Sequence, residues 1–236
     1  MIRRSVPLVE KPDKLLLVSQ VEHARVSAEL ARAWGSEQVP PVVCAADSDN
    51  PHLQDVRHEL LSAIARHDDG WARWEANPAI DPEQGRPYSF LDLPREQALP
   101  LWRDSVLRCR QIGPLAGWVV AGHFSHLLAD SHEAGCVVSQ EWQQEIELWR
   151  DDWFRDWHST NRPVHSAKLA EECLEWLRVF DWRSPLLSGV RFFAFRECCA
   201  ASYDCMDWLT RSRLAAFFLS HCAGGSVRIA AEWQRL

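Results

Sequence analysis

Six polar residues with side chains able to bind a metal or transfer a proton are spaced so that four predicted helices would direct them inward. They are His23, His67, Asp68, His123, His126 and Asp181. A buried imidazole or carboxylate without a partner is costly, so such groups normally pair with one another or bind a metal ion. Imidazole and carboxylate ligands together suit divalent ions. The sequence therefore predicts a divalent-metal site, with zinc, iron, manganese or magnesium as the ion.

The adjacent pair His67-Asp68 follows a helix with one apolar face. Asn50 is a predicted N-cap with Pro51 at the first helical position, and Gly70 is placed to end the helix. The apolar residues that recur at helical spacing between these ends are Leu53, Val56, Leu60 and Ile64. Because His67 continues this stripe, two ligands at the helix end can converge on one ion.

His23 follows closely on a predicted helix start. Ser19 and Glu22 have the spacing of a capping box, in which each side chain bonds a main-chain amide of the other residue. In the helix that follows, Gly35 is the expected stop, and the apolar residues that share a face with His23 are Val26, Leu30 and Trp34. We therefore expect His23 to point inward near the start of this helix.

The remaining candidates lie on two later helices. Residues 114–130 are apolar on nearly all sides, which predicts a central buried helix carrying His123 and His126. Residues 166–184 predict another helix, on which Asp181 shares a face with Ala170, Leu174 and Leu177. The four helices would thus bring residues that are distant in sequence to one site.

The rest of the chain predicts packing and connecting segments. Residues 14–18 form a short apolar run, expected as a strand or an extended lead-in, and residues 73–100 read mostly as a long loop before a helix at about 95–110. Residues 141–157 predict an amphipathic helix, whose apolar face comprises Trp142, Ile146, Trp149, Trp153 and Trp157. This tryptophan stripe is expected to pack in the core. The other histidines, including His165, are expected at the surface or at helix caps.

Composition fits a single helical domain over residues 1–236, with the metal-site core at about 19–184. The chain is 47% hydrophobic and 25% charged, as in ordinary globular proteins, and its net charge of −7 argues against a broad nucleic-acid surface. No apolar run reaches the roughly 20 residues of a spanning helix, and no signal-peptide pattern follows the start. The eight cysteines contain no Cys-x-x-Cys pair. We therefore expect a cytoplasmic protein with no membrane partner.

The order of the six polar residues resembles the HD superfamily of metal-dependent phosphohydrolases. Members of that superfamily are helical and bind one or two divalent metals, which implies an all-α, HD-domain-like helical bundle with at most minor strands at the termini. The metal ligands that the resemblance implies are His23, His67, Asp68, His126 and Asp181. His123 and His126 lie closer together than the corresponding histidines of two-metal HD enzymes. Trp71 stands where the cyclic-dinucleotide phosphodiesterase branch has a lysine, which argues against that branch.

The chain also resembles an uncharacterised bacterial family, domain of unknown function 3891. The segments that carry this resemblance are Gln20-Val21-Glu22-His23-Ala24, His67-Asp68-Asp69-Gly70-Trp71, Trp74-Glu75 and Gly122-His123-Phe124-Ser125-His126. This second resemblance spans nearly the whole chain but implies no activity.

The leading hypothesis is a metal-dependent hydrolase of a phosphoester or nucleotide, with a small phosphate-containing molecule as substrate. Besides the metal ligands, the expected catalytic residues are His123, His126 and Asp68, and the expected substrate-binding residues are Trp71, Trp74 and Arg73. Two alternatives stay open. One is a di-iron oxygenase on the same site, and the other is a non-catalytic helical ligand-binding or interaction protein with a structural cluster.

Overall fold

The computed structural model describes residues 2–5, 15–34, 43, 50–129, 131, 135–160 and 163–187. Within these ranges the chain is mostly helical, which confirms the all-α prediction. The helices are α1 (Gln20–Ala33), α2 (Pro51–Arg66), α3 (Ala72–Ala76), α4 (Arg95–Arg110), α5 (Pro114–Ala129), α6 (Val137–Ser159) and α7 (Ala167–Leu187). None of these helices is long and apolar enough to cross a bilayer.

The described strands form two small antiparallel pairs. Strand β1 (Ile2–Ser5) pairs with β2 (Leu15–Val18), so residues 15–18 of the expected apolar run are a strand that leads into α1. Strands β3 (Ile80–Asp81) and β4 (Arg86–Pro87) lie in the region expected to be a long loop. That expectation was wrong for this segment, because the Asp81 carboxylate accepts hydrogen bonds from the Glu83 and Gln84 amides and folds a local turn.

Two predicted helix starts are capped by the expected side chains. The Ser19 hydroxyl accepts a hydrogen bond from the Glu22 amide at the start of α1. Asn50 caps α2 by accepting from the His52 amide, with Pro51 as the first helical residue. These bonds satisfy amides that have no acceptor within their own helix. The expected helix-stopping Gly35 and the last residue of the predicted central helix, Asp130, lie outside the described residues.

Helix α5 is the central helix, as predicted. It packs against α2, α4, α6 and α7, and its buried residues lie on all sides. Its start is held by another helix, because the Ala116 amide donates to Glu59 Oε1 of α2 at 2.9 Å. A Cβ at Gly113 would lie 2.1 Å from the same oxygen. Glycine at this position is therefore required for the close approach of Glu59.

The tryptophan stripe of α6 faces the core. Trp142, Trp153 and Trp157 are buried, while Trp149 is half-buried, which confirms the packing role. One histidine prediction fails here: His165 is buried and stacks on Trp157 with ring centroids 4.1 Å apart. Its Nδ1 lies 2.8 Å from the Trp157 carbonyl, a polar partner that compensates for burying the ring.

The turn between α2 and α3 lies directly against α4. It is a 3-10 helix over Asp69–Trp71, and the Gly70 amide donates to Ser105 Oγ at 3.0 Å. A Cβ on Gly70 would lie 2.1 Å from the Leu101 carbonyl oxygen and 2.7 Å from the Ser105 nitrogen. Both are main-chain atoms that cannot move aside without shifting α4. The absence of a side chain at Gly70 thus sets how closely this turn approaches α4.

We predict that Gly70→Ala lowers the free energy of unfolding by about 2 kcal/mol or more, since the added methyl group overlaps the main chain of α4. Gly135→Ala is the matched control, because a Cβ there meets no atom within 4 Å. The control should stay within about 0.5 kcal/mol of the wild type in urea denaturation. Equal stability of the two variants would contradict the close approach.

A candidate metal centre at the crossing of three helices

Four potential metal ligands converge where α1, the end of α2 and α7 meet. One ligand atom from each of His23, His67, Asp68 and Asp181 lies within 4.8 Å of the other three. His23 comes from the first turns of α1, His67 is the C-cap of α2, Asp68 follows it, and Asp181 lies on α7. The structure thus brings together four of the five residues expected as ligands.

Asp181 lies at the centre of this group. Its Oδ1 is 2.6 Å from His23 Nε2 and 3.1 Å from His67 Nε2. Its Oδ2 is 3.5 Å from Nε2 of His123, which approaches from α5. One carboxylate therefore faces three imidazoles from three different helices.

The main chain of α2 orients the His67 ring. His67 Nδ1 lies 2.8 Å from the Ile64 carbonyl, so Nδ1–H donates to this oxygen and Nε2 faces the cluster. Metal-binding histidines commonly have this arrangement, in which one ring nitrogen donates to a carbonyl or carboxylate and the other binds the ion. The acceptor is a main-chain group, which the sequence pattern does not reveal.

Burial and charge set opposing protonation preferences in the cluster. Burial lowers the pKa of His67, but Asp68 and Asp181 oppose this effect and raise its pKa to about 9. For Asp181, burial favours the neutral acid, yet the surrounding imidazoles, His123 first, hold its pKa well below the usual range. The Asp181 side chain is only 18% exposed, and those of His23 and His67 are 4% and 1% exposed. A carboxylate is thus kept ionised among rings that water barely reaches.

Asp68 carries a buried oxygen without a hydrogen bond. Asp68 is 3% exposed, and its Oδ2 has no hydrogen-bond partner among the described residues. His67 Nε2 lies 3.4 Å from the same oxygen. Burial is the main reason that the pKa of Asp68 is raised. A cation beside this oxygen would remove the cost of leaving it unpaired.

The donor set fits a divalent ion. Two imidazole nitrogens and two carboxylate oxygens are the ligand types of zinc, iron and manganese sites. Donors that bind one ion at about 2.1 Å are separated from each other by roughly 3.0–4.2 Å. The measured separations, from 2.6 Å between His23 and Asp181 to the 4.8 Å limit of the group, bracket that range. The four donor atoms are therefore close enough together to share one ion.

His123 lies beside the cluster. It is 2% exposed, and its ring contacts that of His67 edge to face with centroids 5.6 Å apart. Burial is the main cause that lowers the pKa of His123 to about 3. The Asp181 carboxylate opposes this effect, because its negative charge favours a proton on the ring. The catalytic role of His123 stays a prediction.

His126 lies one helical turn beyond Gly122 on α5, outside the four-residue group. It is half-buried, and its Nδ1–H donates to the Gly122 carbonyl at 2.8 Å, which makes Nε2 the acceptor nitrogen. The structure does not bring this nitrogen into the group that could share an ion. Its predicted role as a metal ligand is thus not supported by the geometry, whereas a role toward substrate stays a prediction.

The expected substrate-binding residues follow the His67-Asp68 pair. Trp71 is 1% exposed and packs edge to face on the half-buried Trp74, with ring centroids 5.7 Å apart. The indole nitrogens of both are buried without a hydrogen-bond partner in the described part of the chain. Arg73 is exposed on α3. Trp71 is thus chiefly a packing residue, and the roles of Trp74 and Arg73 toward substrate stay predictions.

One residue near the site was missed by sequence reasoning about function. Glu75 of α3 bonds the first residues of α1, which places it in the connection between His23 and the His67-Asp68 pair. The signal that could have identified it was its position in the Trp74-Glu75 segment. In a segment predicted to be a polar loop, no helical or strand spacing distinguishes a functional glutamate from a solvated surface residue.

Comparison with known proteins gives a family without an activity. No curated protein and no solved structure matches the chain. Residues 8–188 match the family described as "Protein of unknown function (DUF3891)", and the matched span includes all four residues of the cluster. Since this span covers most of the 236 residues, the chain belongs to that family.

Proposed function

We propose that the cluster of His23, His67, Asp68 and Asp181 binds a divalent metal ion and that the protein is a metal-dependent hydrolase of a phosphoester or nucleotide. The observation that supports the metal site is that these four side chains come together where the helices cross, at a position that is largely shielded from solvent. The reaction class rests on the ordered His/Asp set, which resembles that of the HD phosphohydrolases.

The charges of the buried groups favour a bound cation. Asp181 is held ionised, and the Asp68 carboxylate beside it has an oxygen with no hydrogen bond. Two neighbouring carboxylates with neutral imidazoles would leave negative charge uncompensated in a medium of low polarity, which is costly. A divalent ion would supply the missing positive charge and would also coordinate the donor atoms of the cluster.

His123 and His126 would have separate roles beside a bound ion. When bound, a divalent ion supplies Lewis acidity, which lowers the pKa of a water molecule and polarises a phosphoryl oxygen. His123 orients Asp181, since its Nε2 is 3.5 Å from Oδ2. His126 holds its proton on Nδ1 toward Gly122, so Nε2 can accept a proton or a hydrogen bond from a substrate.

The second candidate is a non-catalytic protein with a structural cluster. One observation favours it: a proton on His67, whose pKa is about 9, supplies positive charge between the two carboxylates without a metal. A di-iron oxygenase needs further ligands for a second ion. Neither His123 nor His126 belongs to the described group that could hold the first, so no observation favours that alternative.

We predict that removing metal lowers thermal stability. An ion that binds only the native state at a hundredfold excess over its Kd stabilises that state by about 2.7 kcal/mol. The melting temperature of metal-loaded protein should therefore fall when a chelator strips the ion, with elemental analysis before and after treatment. An unchanged melting temperature of stripped protein would favour the structural cluster.

We predict that His67→Ala weakens metal binding by more than the roughly 10–100-fold that loss of an outer-shell partner costs, because it removes a ligand atom. His58→Ala is the matched control, since His58 is exposed on the same helix. Its affinity for Zn²⁺, measured by competition with a chromophoric chelator, should equal that of the wild type. Equal affinities of the two variants would remove His67 from the site.

The reaction class is tested with metal-loaded protein on phosphomonoesters, phosphodiesters and nucleotides, with release of phosphate or nucleoside as the measurement. Turnover should require the ion and should fall by at least about a hundredfold in Asp68→Asn, since the carboxylate is both ligand and charge partner. Metal-loaded protein that hydrolyses none of these substrates would contradict the hydrolase. Oxygen consumption by an iron-loaded sample would favour the oxygenase instead.

A further inference from the structure

Glu75 joins the segment after the His67-Asp68 pair to the beginning of α1. Its Oε2 accepts a hydrogen bond from the Ser19 hydroxyl at 2.6 Å, and its Oε1 accepts from the Gln20 amide at 2.6 Å. Both oxygens of one carboxylate are therefore used on two consecutive residues. We call this pair of bonds the Glu75 clamp.

The clamp acts where α1 has unsatisfied amides. Ser19 already accepts from the Glu22 amide through its hydroxyl oxygen, so its hydrogen is available for Glu75. The Gln20 amide opens the helix and has no acceptor within it, and a carboxylate there also interacts favourably with the positive end of the helix dipole. The clamp thus completes the cap that Ser19 begins.

His23 lies within the capped turn. Its own amide donates to the Ser19 carbonyl at 2.9 Å, so Ser19 is bonded both to Glu75 and to the main chain of His23. Glu75 in turn belongs to the short segment that continues from Asp68 through Asp69–Trp71 into α3. The clamp therefore sets the position of His23 relative to His67 and Asp68 through a short run of chain and two hydrogen bonds.

We propose that Glu75 is a positioning residue for the metal centre: without touching the ion, it holds His23 at ligand distance from the His67-Asp68 pair. This inference rests on the proposed metal site. Two donors, the Ser19 hydroxyl and the Gln20 amide, point at the Glu75 side chain. A glutamine would offer them one acceptor oxygen instead of two and no negative charge, and an alanine would offer them no acceptor.

Glu75→Gln and Glu75→Ala are compared with Glu59→Gln as the matched control. Glu59 also caps a helix start from another element, through the Ala116 amide of α5, but α5 carries none of the four ligands. Each variant is assayed for its Kd for Zn²⁺ by chelator competition and for its melting temperature in the metal-free state. Because a glutamine keeps one acceptor oxygen for the Ala116 amide, the control shows how much affinity is lost when such an inter-helix cap loses its charge.

We predict that both Glu75 variants lose Zn²⁺ affinity by roughly 10–100-fold, the cost of losing a residue that orients a ligand. The Zn²⁺ affinity of Glu59→Gln should stay within about threefold of the wild type, even if its melting temperature falls as much as that of the Glu75 variants. Equal loss of affinity in Glu75→Gln and Glu59→Gln would reduce Glu75 to a general stabilising residue. Unchanged affinity in the Glu75 variants would overturn the proposal.

Amide hydrogen exchange in metal-free protein separates the clamp from the metal site. The Gln20 and His23 amides should exchange faster in both Glu75 variants and at the wild-type rate in Glu59→Gln, because Glu75 bonds the start of α1 whereas Glu59 bonds the start of α5. Unchanged exchange in the Glu75 variants overturns the clamp whether or not metal binds. A different result is that amide exchange changes as expected in the Glu75 variants but the wild type takes up no Zn²⁺. That result would contradict the proposed metal site and, with it, the positioning role of Glu75.

Discussion

The electrostatic constraint at the crossing of α1, α2 and α7 governs this structure: two carboxylates are buried among imidazoles, and the charge must be balanced there. Asp181 is kept ionised by the rings around it, while burial pushes Asp68 toward its neutral form. Such a group is stable only if a proton or a cation sits among the donors. A proton on His67 satisfies Asp181 but leaves an oxygen of Asp68 without a hydrogen bond. A divalent ion would satisfy both carboxylates, so the cluster could hold a metal ion.

Two helices next to this crossing, α1 and α5, are held at their starts by side chains from other elements. Glu75 completes the cap of α1, and Glu59 reaches from α2 to the first turn of α5. Each carboxylate satisfies an amide at a helix start, where the helix dipole also favours negative charge. Glycines permit the matching close contacts, since a Cβ at Gly113 would overlap Glu59 and one at Gly70 would overlap α4. Helix position is therefore fixed by polar bonds at the ends as well as by the apolar stripes between them.

The sequence predicted the parts of this arrangement that depend on local pattern. Caps at Ser19 and Asn50, the apolar stripe that leads to His67, and the all-round apolar character of α5 are short-range signals with a direct physical cause. The contacts of Glu75 and Glu59 join residues more than fifty positions apart, and no periodicity encodes them. The burial of His165 was missed because its partner is the ring and carbonyl of Trp157, eight positions earlier, a separation that no helical spacing links. Local pattern thus predicted which side chains would point inward to form the cluster, whereas the contacts of Glu75 and Glu59 could be seen only in the folded chain.

The clustered residues are far apart along the chain, which has a consequence for folding. His23 and Asp181 are 158 residues apart and His67 and Asp181 are 114 apart, yet their side chains are in hydrogen-bond contact. Bringing such distant segments together costs loop-closure entropy that grows only slowly with length, so one strong interaction can offset it. A metal ion that joins α7 to α1 and α2 would act as such a cross-link, and its binding free energy would become folding free energy. Asp181 contributes to this closure from the last helix that the structure describes, so the site is complete only when α7 is docked. The same carboxylate that organises the imidazoles therefore also ties the later part of the fold to its beginning.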